Sequence, residues 1–92
     1  MDHRQEAKSR VDTLIARLKA QAGPSAVQPL IEECEALSRA IAAFHMEGIR
    51  FRMYNVDRLL HRGELPVPPG TMALFTDARN ELEAAGFHTR SH

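Results

Sequence analysis

The chain has 92 residues with 12 basic and 12 acidic side chains, no formal net charge, and 43% hydrophobic content. That length makes one small domain, and balanced charge with ordinary aliphatic content argues against disorder. No apolar run of about 18 residues is present to span a membrane. The start Met1-Asp2-His3-Arg4-Gln5-Glu6 has no apolar core behind it, so no secretory signal is expected. A lone cysteine excludes an intrachain disulfide and points to a reducing, cytoplasmic setting.

Thirteen alanines and nine leucines against twelve Ile, Val and Thr favour an all-α fold. Arginine outnumbers lysine ten to two, which suits phosphate contacts but equally a GC-rich bacterial genome that favours Arg and Ala codons together. Zero net charge counts against a general nucleic-acid binder, whose domain is usually basic.

A first helix is expected over residues 2–22, opened by a capping box of Asp2 and Gln5 and carrying one apolar stripe of Ala7, Val11, Leu14, Ile15, Leu18 and Ala22. Gly23-Pro24 ends it. The second signal runs from Pro29 to Arg62, with Glu32, Glu33 and Glu35 at the positive end of the helix dipole. Leu30, Cys34, Leu37, Ile41, Phe44, Gly48, Phe51 and Asn55 form a heptad seam through it. One helix over residues 29–62 would be about 50 Å long, more than the diameter of about 30 Å of so small a domain. Either the chain breaks near Gly48, or a second copy covers the overhang. The pattern crosses Gly48 in phase, which favours a long central helix and an antiparallel homodimer in a three-helix, all-α domain covering residues 1–92.

An α+β alternative comes from Ile49-Arg50-Phe51-Arg52-Met53-Tyr54, whose alternation suits a strand over 49–54 that Phe87-His88-Thr89-Arg90 would pair with. The segment 64–70, with three of the five prolines, reads as an extended connector. A last helix is expected over residues 71–85, with Met72, Phe75, Ala78, Leu82 and Ala85 inward. Gly86 caps it, Phe87 folds back onto Leu82, and the end through His92 frays.

Chemistry-bearing motifs are sparse. Cys34 sits on the seam as a small hydrophobe, and His45 lies eleven residues on, about 16 Å along a helix, too far to activate it. Tyr54, Asp57 and His61 share a helix face, a row that reads first as solvated surface. His88 and His92 are four apart, but beyond the expected helix end. No paired metal-ligand spacing, phosphate loop or catalytic serine motif is present, so neither an enzyme nor a cofactor is expected.

Charge is segregated. Residues 48–65 carry four Arg against Asp57 and Glu64, whereas 23–47 carry one Arg against four Glu. Two antiparallel copies centred near His45 would set Glu32 and Glu33 opposite Arg58 and Asp57, with Asn55 fixing register. Phe44, Met46, Phe51, Met53 and Tyr54 cluster midway, the composition of an interface.

The expected protein is therefore a small, cytoplasmic, self-associating helical domain that binds another macromolecule as an adaptor or regulatory subunit. Its interface would comprise Leu37, Ile41, Phe44, His45, Phe51 and Asn55. Two alternatives differ in class. One is a nucleic-acid-binding regulator using the Arg50–Arg62 face, where Arg58 and Arg62 could grip a phosphate. The other is a ligand or metal sensor whose site, from Cys34, His45 or His61, forms across a dimer.

Overall fold

A computed structural model describes residues 2–21, 23–63 and 65–87. The described chain forms four α-helices: α1 (His3–Ala20), α2 (Gln28–Ala42), α3 (Met46–His61) and α4 (Thr71–Ala84), with a 3₁₀ turn at Pro24–Val27. α1 packs on both α2 and α4, and α3 packs on α2.

The ends of α1 follow from local chemistry. Asp2 accepts from the backbone N–H of Arg4 at 3.0 Å and of Gln5 at 3.3 Å, a cap worth about 1 kcal/mol. Ala7, Val11, Leu14 and Leu18 are buried, one per turn. The helix stops at Ala20, and the left-handed backbone of Gly23 (φ 71°) starts the 3₁₀ turn. Ala22, the expected last helical residue, lies outside the described residues.

The long central helix does not form. α2 ends at Ala42 in a Schellman motif: Phe44 N–H donates to the Ile41 carbonyl at 3.2 Å and His45 N–H to the Ala40 carbonyl at 3.0 Å. Phe44 takes the left-handed position (φ 57°) that glycine usually fills. His45 then caps α3, its Nδ1 accepting from Gly48 N–H at 2.8 Å. The break therefore falls at residues 43–45, and Gly48 lies inside the first turn of α3. A Cβ on Gly48 would sit 2.6 Å from His45 Nδ1 and 3.3 Å from Ala40 Cβ, so this glycine serves the cap and the close approach to α2.

The strand alternative is also overturned. Residues 49–54 are helical, and the alternation that suggested a strand instead separates buried Ile49 and Met53 from exposed Arg50, Phe51 and Tyr54. The proposed pairing residues 88–90, the end through His92 and the ligand spacing of His88 and His92 lie outside the described residues. A three-helix domain is replaced by a four-helix one whose extents are 35 × 28 × 20 Å, too short for a 50 Å rod.

Beyond Gly63 the described connector has a bend at Leu65, no regular element over 66–68 and a turn at 69–70, with Glu64 outside the described residues. Leu65 and Val67 pack on the core, and the Pro66 carbonyl accepts from Gln21 Nε2 at 2.8 Å. α4 closes as the sequence indicated: Gly86 is left-handed, Phe87 N–H donates to the Leu82 carbonyl at 2.9 Å, and Phe87 is buried. Its inward face is Thr71, Phe75, Ala78 and Leu82, whereas Met72 and Ala85, expected inside, are exposed.

Candidate functional site

α3 divides its residues by face. Ile49, Met53 and Val56 are fully buried against α2 and the core, and Asn55 is nearly so. The helical repeat then turns Arg50, Phe51, Tyr54, Arg58 and His61 to the outside, where all five are exposed. Phe51 is 56% and Tyr54 49% exposed, a pair three residues apart on one helix and so neighbours across its surface. Arg58 and Arg62, expected as an anion grip, follow in the last turn and at the C-cap, both exposed.

A clasp between α2 and α3 underlies this face. Arg52 Nη1 donates to both oxygens of Glu33, at 3.2 and 3.1 Å, and Asn55 Nδ2 donates to the same carboxylate at 3.2 Å. The Arg52 guanidinium also lies 5.0 Å from the centroid of Phe51. At the far end of the helix, Asp57 meets His61 Nδ1 at 3.0 Å and Arg79 Nη2 of α4 at 3.4 Å. The Tyr54, Asp57, His61 row is thus a surface row whose carboxylate ties α3 to α4.

The expected interface set splits. Leu37 and Ile41 are fully buried in the core of the single chain, and Asn55 belongs to the Glu33 clasp. Phe44 and Phe51 are exposed at 62% and 56%, and His45, also exposed, is a helix cap. Of the five clustered aromatics and methionines, Met53 is fully buried and Met46 half-buried, which leaves Phe44, Phe51 and Tyr54 outward. Sequence reasoning missed the Glu33–Arg52 pair as an intrachain contact. Its signal was the charge segregation itself, assigned to a second copy.

Cys34 sits where the thiolate is disfavoured. It is fully buried, and its thiol is pushed up to about 12, first by burial and then by the charges of Glu33 and Glu35. Among the described residues, no three His, Cys, Asp or Glu side chains converge as a metal site. Shallow depressions lie elsewhere among the described residues, two of them beside α1. One of about 450 Å³ between α1 and α2 is spanned by pairs of its own, Ser38 to Asp12 at 2.6 Å and Lys19 to Glu35 at 2.8 Å. The other, of about 680 Å³, lies beside Arg4, Phe44 and Phe87. No helix among the described residues is long and apolar enough to cross a membrane. Comparison of the chain with models of protein families, with curated proteins and with solved structures finds no significant match.

Proposed function

We propose that the protein is a small, non-catalytic, cytoplasmic interaction module, an adaptor or regulatory subunit, that binds a partner protein through the outer face of α3. The observation that carries this reading is the pair Phe51 and Tyr54, each about half exposed side by side on a helix whose opposite face is fully buried. Covering the exposed half of such rings is worth about 1 kcal/mol each. Adjoining exposed aromatics with arginines around them have the composition of interface hot spots. Arg50 and Arg58 flank the rings, so the complementary surface is apolar with acidic edges.

Selection from displayed random peptides of helical length tests it. Enrichment of acidic, amphipathic sequences that bind the wild type and lose at least tenfold in affinity to Phe51→Ala/Tyr54→Ala supports the reading. No enrichment, or binders indifferent to that double variant, refutes it.

A second reading has its own observation: Arg58 and Arg62 follow the two rings along the same helix end, and bases stack on aromatics while arginines meet phosphates. Fluorescence anisotropy with a labelled oligo-dT would then show binding that falls steeply with salt. The neutral chain favours the protein partner.

A further inference from the structure

We infer that the 43–45 hinge lets the protein exchange α3 and α4 with a second copy of itself, forming a domain-swapped dimer in which α2 and α3 run on as one helix. The first support is where the helix contacts fall. α1 packs on α2 within the N-terminal half, whereas α1 on α4 and α2 on α3 both join residues on opposite sides of the hinge. Opening this one segment therefore carries α3 and α4 onto a second copy, which can supply both packing surfaces again, while the described residues of α3 and α4 pack little on each other. The tie inside the moving half is Asp57 to Arg79, which travels with it.

The second support is strain located at the hinge. Among the described residues, the other left-handed positions are Gly23, Gly63, Gly70 and Gly86; only this one holds a side chain, Phe44 at φ 57°. The residue stays 62% exposed, and its ring contacts, the Arg4 guanidinium 4.0 Å from its centroid and the Phe87 ring at 6.5 Å, offset only part of the backbone cost of about 1–2 kcal/mol. A continuous helix removes that conformation, and short strained hinges favour swapping.

Pattern is the third. The buried positions Cys34, Ser38 and Ile41 on α2 and Ile49, Met53 and Val56 on α3 are joined by a step of eight residues. Eight residues is about 2.2 helical turns, so a continued helix keeps both faces within about a quarter turn of each other. The Glu33–Arg52 pair joins residues on opposite sides of the hinge, so it is among the contacts that the exchange would re-form between copies.

The test is the solution mass of the full chain refolded from urea at about 1 mM and about 10 µM, by light scattering after gel filtration. A swapped dimer forms at the higher concentration and, once isolated, persists on dilution because exchange requires parting most of the fold. Phe44→Gly, which relaxes the closed hinge, raises the dimer Kd about 25-fold, about fivefold for each hinge. His45→Ala, which removes a cap present only in the closed form, lowers it by a similar factor. The inference is overturned if wild type and His45→Ala both stay monomeric at the higher concentration. It is overturned equally by a dimer that re-equilibrates within the column run, or whose Kd Phe44→Gly changes less than about threefold.

Discussion

Replacing Gly48 with alanine ought to stabilise the protein if helix propensity alone mattered, by up to about 1 kcal/mol. The structure indicates the opposite sign. The new Cβ would lie 2.6 Å from His45 Nδ1, so the imidazole must swing away and release the Gly48 N–H that it accepts at 2.8 Å. Losing that cap costs about 1 kcal/mol and cancels the propensity gain. The second contact, Ala40 Cβ at 3.3 Å, forces α3 outward by a few tenths of an ångström and tips the balance to a net loss of about 0.5–1 kcal/mol. In a His45→Ala background the obstructing ring is gone, and the same Gly48→Ala change becomes neutral or stabilising by about 0.5 kcal/mol. Urea unfolding followed by circular dichroism at 25 °C on the four proteins gives the coupling directly, expected near 1 kcal/mol. Gly48→Ala stabilising both backgrounds equally, within about 0.3 kcal/mol, would refute the assignment of His45 as the cap that requires a glycine.

Three further outcomes follow from the burial, charge and ionisation described above. Because the Cys34 thiol is held up to about 12 from its ordinary 9.0, the folded state keeps a proton that the unfolded chain releases. The stability linked to it is fully present below pH 9 and falls by up to about 1.4 kcal/mol per pH unit as pH rises toward 12, a slope that Cys34→Ala removes in alkaline urea titrations. Ile41→Ala, deep in the core, costs about 2–5 kcal/mol, whereas Phe51→Ala on the outer face stays within about 0.5 kcal/mol of wild type in the same assay. Glu33→Gln, which keeps an acceptor for Asn55 but removes the charge facing Arg52, costs at most about 1 kcal/mol and less at high salt, since the pair is partly exposed.

α1 and α4 were legible because their signals are local: an aspartate before the first turn, apolar residues once per turn, and a glycine with a returning phenylalanine at the end of α4. The α2–α3 turn was not, because its left-handed residue is Phe44, and no punctuating glycine stands there. Gly48 drew attention instead, and it proves to be a consequence of the cap three residues earlier. Once the helix breaks, the heptad loses its phase. α2 keeps Leu30, Cys34, Leu37 and Ile41 inside as expected, but α3 buries Ile49, Met53 and Val56, and of the seam residues Gly48, Phe51 and Asn55 it buries Asn55 alone. Phe51 thereby passed from expected seam to exposed face. Of the expected interface residues, Leu37 and Ile41 became core for the same reason any apolar helix face is ambiguous: periodicity reports that a face is covered, and is silent on whether the cover is the same chain.

That ambiguity is physical as well as inferential. An exchange at the 43–45 hinge would re-form between copies the contacts that α2 and α3 make within one chain, so the acidic α2 and basic α3 are complementary in either arrangement. Hydrophobic burial and charge therefore leave the choice nearly open, and the few residues of the turn hold the balance. Phe44 pays a left-handed backbone cost in the closed form, while His45 returns a helix cap there. The two effects are of similar size and opposite sign, which is the condition for a conformational equilibrium that protein concentration can shift. The outer face of α3 is indifferent to the outcome, because Phe51 and Tyr54 lie on the side of the helix turned away from its packing on α2. A swapped dimer would carry that face twice, once on each of its two long helices. A partner with two matching segments would then gain avidity that a single segment lacks, and Phe44→Gly would remove the gain while leaving the single-segment affinity intact.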